Sequence, residues 1–164
     1  MEQIENPFSA GNKMNTEFID PFVKSTIDTF YQLLSLSVNP GNPRPFDEKK
    51  DFLNISSIIG LAGEVQGEVI LSFPYPSCKL ISEKFTGIAS KEIDDTVIDA
   101  IGELVNVVAG NAKDGLLQFK IYISIPNIID GDQNLRLTKN CPAITVPFQF
   151  ENGNFNLIVT LLEK

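Results

Sequence analysis

A chain of 164 residues is long enough for one domain with a packed core and too short for two ordinary ones. Its net charge of −8, with no dense basic cluster, excludes a nucleic-acid backbone or an anionic membrane as the main partner, and 43% hydrophobic residues exclude a disordered polymer. Histidine is absent, which removes the commonest general base and metal ligand, and the two cysteines, Cys78 and Cys141, have neither disulfide-framework nor metal-like spacing.

The opening "MEQIENPFSAGNK" lacks the basic start and apolar run of a signal peptide, and nothing in the chain approaches the roughly 20 apolar residues of a spanning helix. A cytoplasmic protein is expected, with residues 1–13 as a flexible leader and 14–164 as a single domain. From Thr16 to Leu36 the apolar residues Phe18, Phe22, Ile27, Phe30, Leu33 and Leu34 recur with helical spacing, and Pro21 sets the expected start of that helix. "NPGNPRPFDEKK", Asn39 to Lys50, carries three prolines and a glycine and reads as a connector with at most an edge strand.

"FLNISSIIGLAG" and "EVILSF" read as two strands of an antiparallel hairpin turning in the Gly63 to Gly67 region. "PSCKLISEKFTG", Pro76 to Gly87, is a short helix opened by proline and closed by glycine. A second long helix covers "DDTVIDAIGELVNVVAGNAK", Asp94 to Lys113. The period then changes to two: Phe119, Ile121, Ile123 and Ile125 mark a half-buried strand that stops at Pro126. Ile144, Val146, Phe148 and Phe150 mark another, "ENGN" turns the chain, and Phe155, Leu157, Val159 and Leu161 return. Pro147 cannot donate to a ladder, so its strand is at an edge or its missing donor faces away from a partner. The order is α+β, a mainly antiparallel sheet packed with long helices.

The chemistry-bearing candidate lies on the second long helix. At about 100° per residue, with Asp95 at the origin, Asn106 falls near 20°, Asp99 near 40°, Gly110 near 60° and Glu103 near 80°. Val107, Leu104, Val108, Ile101, Val105 and Ile98 occupy the opposite side, between about 120° and 300°. Asp94 suits the N-cap, and the early acids favour the positive helix end. Glu103 and Asn106 are mid-helix, where capping does not explain them; on periodicity alone, a merely solvated face is the better reading. Gly102 and Gly110 each cost about 1 kcal/mol relative to alanine in a helix interior, which asks for close approach by a partner or by a neighbouring element.

"MNTEFIDPFVKSTIDTF", "SSIIGLAGEVQGEVILSFP", "DDTVIDAIGELVNVVAGNAK", "YISIPNIIDG" and "CPAITVPFQFENGNFNLIVTL" together resemble the CheX branch of the CheC/CheX/FliY family, phosphatases of the response regulator CheY. The resemblance runs from Met14 onward, and Asp99, Glu103, Asn106 and Pro126 match the family pattern of Asp or Ser, Glu, Asn and a distant Pro. The first helix has no Glu-x-x-Asn, and that single copy favours CheX over CheC.

The resemblance implies a CheC/CheX-like fold and hydrolysis of the aspartyl phosphate of a CheY-type receiver. In that reading Asn106 positions the attacking water, Glu103 pairs with the receiver's lysine, and Asp99, Gly102, Gly110 and Pro126 border the partner. No metal site or cofactor of its own is implied, since Mg2+ belongs to the receiver. A homodimer is implied as well. The competing reading is a non-catalytic module of the same fold that docks a receiver or a flagellar-switch partner.

Overall fold

The computed structural model describes residues 16–131, 137–138 and 140–164, and of Thr16 and Glu17 the backbone alone. The leader expected over 1–13 lies outside the described residues. Three α-helices and eight strands follow in the order α1 (Thr16–Leu34), β1 (Asn39–Pro40), β2 (Arg44–Pro45), β3 (Ile55–Gly63), β4 (Val65–Phe73), α2 (Tyr75–Thr86), α3 (Asp95–Asp114), β5 (Ile121–Ile123), β6 (Asn127–Asp130), β7 (Ala143–Phe150) and β8 (Gly153–Glu163). The strands form one antiparallel sheet in the order β1-β7-β8-β4-β3-β5, with β2 also on β7 and β6 also on β3. The α+β architecture expected from the sequence is therefore present.

Strand periodicity sorts the sheet into two unlike faces. Ile55, Ile59 and Leu61 of β3, Val69, Leu71 and Phe73 of β4, and Phe155, Leu157, Val159 and Leu161 of β8 join the buried faces of the three helices in one core. Phe155 is its hub, stacked on Phe30 of α1 with ring centroids 4.6 Å apart and on Phe148 of β7 at 4.9 Å. Such contacts add about 0.5–1.5 kcal/mol each beyond area burial.

The opposite face carries Ser56, Ser72, Thr145, Asn156 and Thr160, all buried. Their cover is loop, held by polar groups. Asp51, fully buried, accepts two hydrogen bonds from the Arg44 guanidinium at 2.7 and 2.8 Å, one from the Asp47 amide and one from the Thr145 hydroxyl. Asn156 donates to its backbone carbonyl. On the same face Glu68 accepts from the hydroxyls of Thr160 and Thr138 and from the Thr138 amide, which fixes the chain ahead of β7.

Three expectations need correction. The first helix begins by Thr16 rather than near Pro21, because Phe18, Ile19 and Phe22 are all buried and anchor its first turns. Pro21 there removes only the bond its N–H would have made to residue 17. The strand expected to stop at Pro126 ends at Ile123 and is taken up again beyond the proline by an unexpected strand: β5 and β6 both pair with β3, and Ser124 to Pro126 oppose only Ile59 and Gly60. That is a bulge, with Ser124 donating from its amide to Gly60 carbonyl and accepting the Gly60 amide on its hydroxyl. It turns Ile125, expected to be inward, outward to 82% exposure.

Of the two placements expected for Pro147 the second holds: its strand is interior, with β8 on one side and β1 and β2 on the other, and the missing donor faces no partner. The Pro147 carbonyl accepts the Gly41 amide between those two short strands, so the missing donor points into their gap and no β7–β8 bond is lost.

Burial pushes the Asp51 carboxyl up, but the Arg44, Asp47 and Thr145 hydrogen bonds outweigh it and hold it below the ordinary carboxylate range. A depressed folded-state value means stability that is complete above the unfolded value of about 4 and lost as pH falls through the folded one. Asp51→Asn should cost about 3 kcal/mol at neutral pH. It should also flatten the acid limb of stability against pH, as read by urea unfolding from pH 7 down to pH 3.

A β-carbon at Gly102 of α3 would stand 3.6 Å from Pro126 Cγ and 3.6 Å from Ile128 Cδ1, ordinary contact distances. Gly102→Ala should therefore fold with up to about 1 kcal/mol of added stability. Gly102→Phe should lower the melting temperature by forcing β6 away.

Candidate functional site

Helix α3 starts where Asp94, with extended backbone, accepts the Val97 amide at 3.0 Å, and Asp95 adds a second carboxylate to the first turn. Val97, Ile101, Leu104, Val105, Val108 and Ala112 are buried on the core side. Burial of that face sets the helix rotation, and the polar stripe follows as its complement. Asp95, Asp99 and Glu103 are exposed, while Asn106 and Gly110 are half-buried. Among the described residues no side-chain hydrogen bond or ion pair engages Asp99, Glu103 or Asn106.

The stripe lies between two flanks. On one, Gly102 is buried beneath Pro126 and Ile128, which brings the bulge of the β5–β6 edge to the side of the stripe that carries Asn106, four residues on from Gly102. Pro126 thus lies beside the stripe although it is 20 positions along the chain from Asn106. On the other flank runs α1, tied to α3 by the Ser25 hydroxyl donating to the Val108 carbonyl at 2.7 Å. Gly110 has open space around it: a β-carbon there would meet nothing within 4 Å.

The two glycines separate on this geometry. Gly102 has internal neighbours that account for its small size, and its side of the helix is taken by its own chain. Gly110 has none, and its helical backbone needs no glycine. Ile128, which helps cover Gly102, was not legible as a site neighbour, because β6 follows a proline and a bulge that end the period-two pattern.

The available chemistry is that of carboxylates and an amide. Cys78 is buried, and burial pushes its thiol up to about 12, so it is no nucleophile at neutral pH. Burial also raises Cys141, with the Glu68 charge adding to the effect. Among the described residues no group of three or more His, Cys, Asp or Glu is arranged to hold a metal ion, and no described helix is long and apolar enough to cross a membrane. What the stripe offers is an amide that both donates and accepts, and a carboxyl group about one turn away, on a rigid element.

Residues 55–149 match the family model of the chemotaxis phosphatase CheX. The chain is 23% identical over 148 residues to the CheY-P phosphatase CheX of Thermotoga maritima, covering 88% of this chain and 95% of that protein. Among solved structures, a CheC-like superfamily protein from Shewanella sp. PV-4 superposes with a TM-score of 0.83 at 25% identity, over 90% of this chain and 99% of that one. The CheX of Borrelia burgdorferi, solved in complex with CheY, BeF3 and Mg2+, superposes with a TM-score of 0.75 at 24% identity, over 89% and 98%. The family match lies on strands β3 to β7 and on α3 with its whole polar stripe, and the fold agrees along its length: the chain belongs to the CheX family of chemotaxis phosphatases.

Proposed function

We propose that this protein hydrolyses the aspartyl phosphate of a CheY-type receiver, with Asn106 orienting the attacking water and Glu103 pairing with the receiver's lysine. The observation that carries the reading is the presentation of Asn106 and Glu103, one turn apart, from the middle of a helix whose other side is buried. The name of the Thermotoga relative and the composition of the Borrelia complex support the same substrate and a receiver that brings its own Mg2+.

Water attacks phosphorus, the bond from phosphorus to the aspartyl oxygen breaks, and the receiver carboxylate leaves with the electron pair. The protons of the water pass to solvent and phosphate, and inorganic phosphate departs. Nothing in that step demands a base from this chain. Phosphoryl transfer responds chiefly to positioning and electrostatics, and a fixed amide can accept a hydrogen bond from the water and aim its lone pair. Glu103 supplies a charge-assisted contact that holds the register between the two proteins. Asp99 borders the contact, and Pro126 forms its wall on the side away from α1. Gly110 gives clearance for a receiver loop one turn beyond Asn106, since nothing within its own fold requires a glycine there. The cytoplasm, where such receivers act, is the compartment that fits this role.

The protein also pairs as a homodimer in this reading, through the β5 edge. The edge at the other end of the sheet consists of two-residue strands that each close on a proline, Pro40 and Pro45, and so lack donors. The β5 edge carries Tyr122 at 64% and Ile125 at 82% exposure. Ile125→Lys should convert the dimer to a monomer in light scattering, and an unchanged mass would remove that edge from consideration.

In a decay assay of a phosphorylated receiver, wild type should accelerate loss of phosphate and Asn106→Ala should lose roughly a hundredfold in turnover while still binding. Glu103→Ala should raise the receiver concentration needed for half-maximal rate by about tenfold or more. Wild type that binds the receiver without accelerating decay would establish the non-catalytic module instead. Gly110→Leu should leave the fold as stable as wild type or up to about 1 kcal/mol more so, yet depress turnover of the receiver.

A further inference from the structure

Between α1 and α3 lies a cleft of about 440 Å³, with Lys24, Ser25, Asp28 and Gln32 on the α1 wall and Asn111 and Asp114 on the α3 wall. Its position relative to the stripe follows from two contacts. A β-carbon on Gly115, which ends α3, would stand 3.0 Å from Pro21, and Ser25 reaches the Val108 carbonyl. The helices therefore run antiparallel, and the cleft extends from Pro21 and Gly115 toward Gln32, in the direction of Asn106. Three residues beyond Ser25, at about 1.5 Å per residue, Asp28 is level along the helix axes with the stretch from Glu103 to Asn106. On the α3 wheel Asp114 lies near 100°, beside Glu103 at the α1 edge of the stripe, and Asn111 near 160°, further round toward α1.

The α1 helix presents its own polar row. Lys24, Asp28, Tyr31 and Gln32 fall within about 100° of one another, and Lys24, Tyr31 and Gln32 are exposed. Lys24 and Asp28 form an ion pair at 2.8 Å, one turn apart. Exposed pairs of this kind contribute only about 0.3–0.5 kcal/mol, so the fold scarcely depends on them.

A specific protein complex covers about 800 Å² on each partner, more than four side chains on one helix supply. A receiver seated on Asn106 must therefore rest on the flanks as well. One flank is the Pro126 bulge, and the other is this cleft.

We infer that the α1 row is a second contact surface for the same receiver, with Asp28 and Gln32 as specificity-determining residues that engage a polar segment beside its phosphorylated aspartate. The inference rests on the phosphatase reading above and adds to it the element that selects the partner. A polar lining suits a partner that must be released after each turnover, because such a surface gives register without the large apolar burial of a permanent complex.

The test compares wild type with the Asp28→Arg/Gln32→Ala double variant. Affinity for a receiver loaded with beryllofluoride and Mg2+ is measured by calorimetry, and phosphate loss is followed at several receiver concentrations. Affinity should fall by tenfold or more and KM should rise in proportion, while the rate at saturating receiver stays with wild type and the melting temperature moves by less than about 3 °C. Gln32→Asn with Asp28 intact should recover most of the affinity. Equal affinity and KM in variant and wild type would overturn the inference and leave the role of Asn106 standing. Wild type that neither binds nor dephosphorylates the receiver would instead overturn the reading on which it rests.

Discussion

The rotation of α3 about its own axis is the constraint from which the site follows. Val97, Ile101, Leu104, Val105, Val108 and Ala112 must all be out of water against the sheet and the neighbouring helices, and a helix turns about 100° per residue. A full burial of that face is worth several kcal/mol, since each large side chain contributes about 1.5–3 kcal/mol. Rolling the helix by one residue to aim Asn106 elsewhere would expose part of that face. The direction of Glu103 and Asn106 is thus held by apolar contacts neither residue makes.

The two faces of the sheet divide the labour of support. The helix side is held by apolar packing around Phe155, which tolerates no water and few polar atoms. The far side is held by a small number of fully partnered polar groups, above all the carboxylate of Asp51 with Arg44, Thr145 and Asp47. Because those bonds fasten the connector and not the helices, damage there would loosen the back of the sheet before it disturbed α3. The stability contributed by the Asp51 network is therefore seated apart from the site, whereas that contributed by the apolar core also fixes its geometry.

How much of this was legible in the sequence depended on where periodicity survives. Ile144, Val146, Phe148 and Phe150 alternate with other residues along their strand, and Phe155, Leu157, Val159 and Leu161 keep the same period on the next, so both strands lie where period two put them. The stripe on α3 was legible for the same reason, as the complement of a clean apolar face. Period failed at Ser124 to Pro126, where three residues oppose two: Ile125 looked inward by counting and is outward in space, and β6 was hidden behind the proline. The start of α1 was misplaced because Pro21 was weighed as a local stop, whereas Phe18 and Ile19 contribute burial that outweighs one missing bond. The two glycines looked alike in sequence. Only the neighbours of Gly102, contributed by residues more than 20 positions away, distinguish it from Gly110. The α1 row of Lys24, Asp28 and Gln32 had a helical spacing open to view, but its place on the flank of the α3 stripe depends on the antiparallel seating of two helices, which no local pattern encodes.

The spacing of Glu103 and Asn106 on a continuous helix has a bearing on how the protein can diverge. Two side chains three residues apart on such a helix are separated by a rise of about 4.5 Å that no loop can lengthen or shorten. They act as a fixed gauge, and insertions or deletions in the connectors change what surrounds the gauge without changing its divisions. The extra residue at Ser124 to Pro126 is of that permissive kind, taken up at a sheet edge as a local bend. Length variation among descendants of this chain is thus free to accumulate around the helix, while any retuning of the gauge itself has to come by substitution.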